Sequence, residues 1–217
     1  YSVQETLEHG VYRQGKAMML GTQLLFHQDD LPLRGAHNLS NAAAAATAAT
    51  ALGVPPATIV KGFQHFQALP HRLEWIATKG GVAYYNDSKA TTPLSTTCAL
   101  EAFTEPVLLL AGGYDKGTPF EELGEVIRQR ARVALLYGET APKLLYAVTQ
   151  AVQAHPHQSA PLVFELPTLD AALQQAVVLA QPGETVLLSP ACASYDQFPH
   201  YEARGAHFRE LVQALPE

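Results

Sequence analysis

The chain has 217 residues, 47% of them apolar and 16% charged, which excludes a disordered segment and allows a buried core. With 14 Lys and Arg against 20 Asp and Glu the net charge is −6, and no basic stripe is present, which argues against a nucleic-acid groove. The longest apolar runs, such as residues 107–111, are far shorter than the roughly 20 residues of a membrane span. At about 150 residues per domain, the length predicts one domain and a fraction. Cys98 and Cys192 form no Cys-x-x-Cys pair and read as packing thiols in a reducing compartment. The chain has no initiator Met and no visible signal peptide, and it opens in a strand-like run at Tyr1, which predicts a piece of a longer protein.

Residues 11–13 and 17–20 read as short strands around the turn Gln14-Gly15-Lys16, with another at 23–26, before the breaker cluster at 31–35. His37-Asn38-Leu39-Ser40-Asn41 leads into five alanines, Ala42 to Ala46, and the run stops at Gly53, which predicts a helix with polar starters. Pro55-Pro56 opens a second helix through about Phe66, and Leu69-Pro70-His71-Arg72 reads as a linker. Beyond it, apolar runs at 82–85, 107–111, 133–137, 162–164 and 185–188 alternate with helices near 94–103, 120–130, 140–154, 168–180 and 200–214. This alternation predicts a Rossmann-like α/β fold, a mostly parallel sheet with helices on both faces. Residues 72–78 are expected to add an antiparallel edge strand.

Ligands of an open parallel sheet bind outside the carboxyl ends of its strands. Three loops there are, taken together, dense in Gly, hydroxyls and charge: residues 86–93, 112–118 and 189–196. The loop Gly138-Glu139-Thr140 is plainer. Ser, Thr and Asp are also what N-caps and turns use, and Ser88, Thr92 and Thr118 fit that role. Lys89 and Lys116 do not, because each stands in the turn before a helix, where the dipole disfavours a cation. A bound anionic small molecule would reconcile the lysines, hydroxyls and helix N-termini.

Gly10-Val11-Tyr12-Arg13-Gln14-Gly15-Lys16-Ala17 nearly fits the phosphate-binding G-x-x-x-x-G-K-[ST]. Ala17 lacks the hydroxyl, and a hairpin surrounds the segment, so an ordinary turn is expected. No G-x-G-x-x-G is present, so a dinucleotide is not supported. The nine histidines show no metal-ligand spacing. His155 and His157 read as solvated, His207 as a packing residue, and His37 and His71 mark element boundaries.

At HNLSN (37–41), LPHRLE (69–74), NDSKATTP (86–93), AGGYDKG (111–117) and LLSPACASYDQF (187–198), the chain resembles the Mur ligases. The motifs keep the family's order and spacing from about Leu31 to the C-terminus, and the D-glutamate-adding branch is the most similar. Folylpolyglutamate synthetases share the architecture but match these strings less well. The resemblance implies a three-domain enzyme, with 1–68 the C-terminal end of its central ATP-binding domain and 69–217 its Rossmann-like amino-acid-binding domain. A P-loop, the Mg²⁺ ligands and the UDP site would then precede this chain. The implied enzyme is a cytoplasmic, monomeric ligase of peptidoglycan precursor synthesis. It uses ATP and Mg²⁺ to convert UDP-N-acetylmuramoyl-L-alanine to an acyl phosphate, which the amine of D-glutamate attacks. The segment alone is expected to be inactive.

Residue by residue, the resemblance sets Asn38 and Asn41 near adenine, although helix capping would also suit Asn38. Arg72 matches an arginine reaching the ATP phosphates, with domain bridging as the alternative, and Asp87 matches a ribose-hydroxyl acceptor. Lys89 matches a lysine near the phosphates and acyl group, so Lys89 and Arg72 are the catalytic candidates. Thr91, Lys116 and Ser194 match residues gripping the two carboxylates of D-glutamate. Tyr195 and Tyr201 match positions acting through backbone N–H or packing, and Tyr201 stands where some relatives have phenylalanine. The competing readings are another Mur-type or folylpolyglutamate ligase, or a non-catalytic module binding an anionic amino acid or nucleotide.

Overall fold

The computed structural model describes residues 1–7 and 10–216. The chain divides into two compact units, Tyr1–Ala68 and Leu69–Glu217. In the first, β1 (Val11–Gln14), β2 (Ala17–Leu20) and β3 (Gln23–His27) form an antiparallel sheet in that order. Gln14 pairs with Ala17 across Gly15 and Lys16, so the near-match to a phosphate loop is a tight hairpin turn. Tyr1 is not in a strand; Ser2 makes a single bridge to Tyr12.

Helix α1 (Ala36–Ala51) and α2 (Pro56–Gln64) pack on this sheet. Ala42, Ala43 and Ala46 join Leu39, Val11, Met18, Phe26 and Ile59 in one core. The alanine run is therefore a close-packed helix face, since small side chains let the helix approach the sheet closely. The N-cap of α1 is Gly35 at φ 92°, with no side-chain cap, so the polar starters do not cap the helix as expected. Helix α2 ends two residues short of Phe66, at Gln64.

The second unit is a six-stranded sheet with order β4-β5-β9-β6-β7-β8. Its strands are β4 (Glu74–Lys79), β5 (Val82–Asn86), β6 (Val107–Gly112), β7 (Ala131–Tyr137), β8 (Leu162–Leu166) and β9 (Thr185–Leu188). Only β4 runs antiparallel, pairing with β5 at the edge, as the sequence predicts. The helices are α3 (Pro93–Leu100), α4 (Glu121–Arg130), α5 (Ala141–Ala154), α6 (Leu169–Leu179) and α7 (Tyr201–Gln213).

Every residue of β6 is buried, with alternate side chains serving opposite cores. Val107, Leu109 and Ala111 pack with α3, α4 and α5, and Leu108 and Leu110 with α6 and α7. This is why the central strands read as unbroken apolar runs rather than alternating ones. Each buried leucine contributes about 1.5–3 kcal/mol. Right-handed crossovers explain the partition, because three successive steps in one direction place α3, α4 and α5 on one face. The return to β9, between β5 and β6, places α6 on the other face. Cys192 is buried and Cys98 half-buried, both as free thiols. Among the described residues no helix is long and apolar enough to cross a membrane.

Gly124 marks a close contact between α4 and α5, since a Cβ there would lie 2.6 Å from the backbone of Ala147 on α5. G124A is therefore expected to lower stability by about 1–3 kcal/mol through overpacking. Denaturant unfolding of this chain checks it, and an unchanged midpoint would contradict the close approach.

Candidate functional site

Three loops meet at the carboxyl ends of β5, β9 and β6. The loop after β6 is locked to its neighbours through the backbone. The Gly112 N–H donates to the Pro190 carbonyl at 2.8 Å and the Tyr114 N–H to that of Ala193 at 2.9 Å. The Gly113 carbonyl accepts from both the N–H and the hydroxyl of Thr140, each at 3.0 Å. Gly112 and Gly113 sit at φ 136° and 140°. A Cβ on Gly113 would stand 2.2 Å from the Ala193 carbonyl oxygen, so the loop needs glycine here.

Arg204, from α7, joins the other two loops. Its side chain is 1% exposed and donates to the Ser88 hydroxyl and carbonyl and to the carbonyls of Cys192 and Ala193, at 2.9–3.2 Å. The Ser88 hydroxyl donates in turn to the Tyr201 carbonyl at 2.7 Å. Ser88 therefore links two loops through α7 and is no N-cap, whereas Thr92 does cap α3. The sequence reading did not single out Arg204, because a lone arginine on a helix reads as solvated. The nearest signal was Gly205 in mid-helix, where a Cβ would lie 2.2 Å from the His71 ring.

Asp87 is buried under these loops. Its carboxylate accepts from the Leu73 N–H at 3.1 Å and the Ser189 hydroxyl at 2.9 Å. Burial pushes its pKa up to about 7, against the opposing pull of Ser189, the Leu73 amide and the Arg72 charge. Arg72 itself is exposed, between His71 and Leu73 at φ 62° and 44°. Left-handed backbone at such residues costs on the order of 1–3 kcal/mol each and persists only where surroundings impose it. Here His71 is buried beside Asn86, its Nδ1 3.0 Å from the Asn86 amide nitrogen. Its N–H donates to Glu74, whose carboxylate also accepts from Arg209 at 2.7 and 2.8 Å. Desolvation by burial, the largest influence, lowers the His71 pKa.

The two lysines have partners of their own. Lys116 Nζ donates to the Thr91 carbonyl at 2.8 Å, which joins the β5 and β6 loops. Lys89 Nζ lies 3.4 Å from the Tyr201 hydroxyl and 5.4 Å from that ring's centroid. Helix α3 begins only at Pro93 and α4 at Glu121. Both lysines do precede a helix, but by four and five residues rather than immediately, so the dipole conflict inferred from sequence is weaker than expected. Ser194 Oγ is buried and has no hydrogen-bond partner. Tyr195 is exposed and meets the Tyr114 ring edge-on at 5.9 Å.

Asn38 and Asn41 belong to the first unit. They line a cavity of about 200 Å³ whose other walls include Leu31, Leu33, Ala42 and Phe63. Asn38 Nδ2 donates to the Arg34 carbonyl at 2.7 Å, one turn back, and Asn41 Nδ2 to Asn38 Oδ1 at 3.4 Å. Among the described residues, no group of His, Cys, Asp or Glu could hold a metal ion.

Residues 71–192 match the model of a known family, the Mur ligase, glutamate ligase domain. The chain belongs to the Mur ligase family. It is 41% identical over 215 residues to the UDP-N-acetylmuramoylalanine--D-glutamate ligase of Solibacter usitatus, covering 99% of this chain and 47% of that one. The chain thus spans about half the length of the curated relatives it matches. Among solved structures, a pseudomurein peptide ligase type C from Methanothermus fervidus aligns with a TM-score of 0.66 at 15% identity, over 97% of this chain and 42% of that one. A folylpolyglutamate synthase from Mycobacterium tuberculosis, complexed with ADP, aligns at 0.58 and 18% identity, over 95% and 47%. These distant structures share the Mur ligase fold. The buried Asp87–Ser189 pair and the Arg204 staple stand within that fold.

The raised pKa of Asp87 has a measurable consequence. The folded chain holds a proton that the unfolded chain releases near its ordinary pKa of 3.8, so this group's stabilisation is complete below about pH 4. It is lost as pH rises through about 7. D87N removes the titration, so the stability difference between D87N and the wild type is expected to shift in favour of D87N from pH 4 to pH 8. Urea unfolding across that range checks the sign, and a pH-independent difference would contradict it.

Proposed function

We propose that this chain is the C-terminal part of a cytoplasmic, monomeric ligase that joins D-glutamate to UDP-N-acetylmuramoyl-L-alanine in peptidoglycan precursor synthesis. The observation that carries the reading is the pairing of Lys116 with Thr91 on loops adjoining the buried, unpartnered Ser194 hydroxyl. Such an array suits an amino acid with two carboxylates, because Lys116 brings a point charge and Ser194 a buried hydroxyl with no partner of its own. The identity to ligases bearing this name over 99% of the chain supports the same reading.

In this account Thr91, Lys116 and Ser194 bind the acceptor's carboxylates and orient its amine, with Tyr195 and Tyr201 contributing backbone and packing. Arg72 and Lys89 bring positive charge to the phosphates and the acyl group, which is how a phosphoryl-transfer site lowers its barrier. Asp87 accepts from the ribose hydroxyls. Asn38 and Asn41, which line an apolar cavity of about 200 Å³, offer amide edges to adenine. ATP supplies the phosphoryl group that turns a poor carboxylate electrophile into an acyl phosphate. By the likeness to the family, the Mg²⁺ that accompanies ATP is assigned to ligands outside this chain.

A folylpolyglutamate-type ligase is the second reading, because its fold is shared. Phosphate release by the complete ligase separates the two. With ATP, Mg²⁺ and UDP-N-acetylmuramoyl-L-alanine, release is expected on adding D-glutamate but not L-glutamate or D-alanine. Release with another acceptor moves the protein to a sister activity, and none with any acceptor favours a binding module. In the same assay K116A is expected to raise the KM for D-glutamate by about tenfold or more, from a lost charged hydrogen bond of about 1.5–3 kcal/mol, with that for ATP little changed.

A further inference from the structure

Lys143, on the first turn of α5, is absent from every role assigned above, yet it is tied to the loop that carries Lys116. Its ammonium bonds the Asp115 carboxylate, whose other oxygen accepts the Gly117 N–H at 2.8 Å. The Asp115 N–H faces Glu139 at 3.4 Å, and the Glu139 N–H faces Asp196 at 3.3 Å. Lys143 thus stands among acidic groups at the end of the sheet where Lys116 reaches Thr91. The Asp115 side chain is 17% exposed and the Lys143 side chain 59%. The hydrogen bond from Lys143 is the main reason that the Asp115 carboxyl titrates below its ordinary range.

Without that ammonium, Asp115 would be a bare carboxylate one residue from Lys116. It could compete for the Lys116 cation, and it would repel an anionic ligand that Lys116 is meant to hold. The bridge to α5 adds a second tie to the loop, beside its backbone bond to Ala193. A flexible lysine loses less freedom on binding when its loop is already fixed. We propose that Lys143 is a positioning residue of the acceptor site: by neutralising and anchoring Asp115, it keeps Lys116 free to bind the carboxylate of the incoming amino acid.

The inference rests on the acceptor-site reading of Lys116, and the test separates the two. In the complete ligase, K143M is expected to raise the KM for D-glutamate about fivefold, as suits a partly exposed ion pair, with kcat and the KM for ATP moving less than about twofold. K143R is expected to restore the KM. Adding D115N to K143M is also expected to lower the KM again, because no bare carboxylate then remains. Melting curves of this chain carrying K143M or K143Q show whether the fold is kept. A KM unmoved by both K143M and K143Q, while K116A raises it, overturns the proposal. So does an elevated KM that neither K143R nor D115N relieves, since that is the mark of a packing role. If K116A has no effect, the acceptor-site reading falls, and the role of Lys143 falls with it.

Discussion

The site depends on a buried guanidinium. Arg204 is 1% exposed, and it binds backbone and hydroxyl oxygens from the loops after β5 and β9. A buried charge is costly unless its donors are used. The fold uses them to hold together two loops that sequence separates by a hundred residues. Carbonyls that point at Arg204 leave Ser88, Cys192 and Ala193 no freedom to rearrange independently. The β6 loop is then keyed to the same frame through Ala193 and Pro190.

From that frame the rest follows by geometry. The insertion of β9 between β5 and β6 brings their three carboxyl ends side by side, and the reversal of strand order opens a crevice there. Gly112 and Gly113 let the β6 loop run close under its neighbours. Arg72 is presented by a strained turn that His71, Asn86, Glu74 and Arg209 hold in place from behind. The mobile-looking cations of the site are thus carried on backbone that is over-determined. This is the arrangement expected when charge must be in place before a reaction begins.

Much of this was legible in the residues. Buried parallel strands must be apolar on both faces, so 107–111 and 133–137 announced themselves, and the Pro and Gly punctuation set the helix limits. The loops at 86–93, 112–118 and 189–196 were legible as neighbours, because each follows an apolar strand of one parallel sheet, and they do meet at the ends of β5, β6 and β9. What stayed hidden depends on partners distant in sequence. Nothing in Arg204 distinguishes it from a solvated arginine until Ser88 and Cys192 are brought to it. The loop Gly138-Glu139-Thr140 looked plain, but Thr140 holds the Gly113 carbonyl. Asn38 suited a cap by composition, yet Gly35 took that position, and the Asn38 side chain turned back to Arg34.

We propose that the β5 and β9 loops joined by Arg204, with the β6 loop keyed to them, seat the acceptor. The most direct test is an amide NMR titration of this chain with D-glutamate. The account predicts shifts concentrated at Thr91, Lys116 and Ser194, lost in K116A, with the strands of the first unit silent. Shifts confined to other surfaces, or equal shifts in the wild type and K116A, would contradict it.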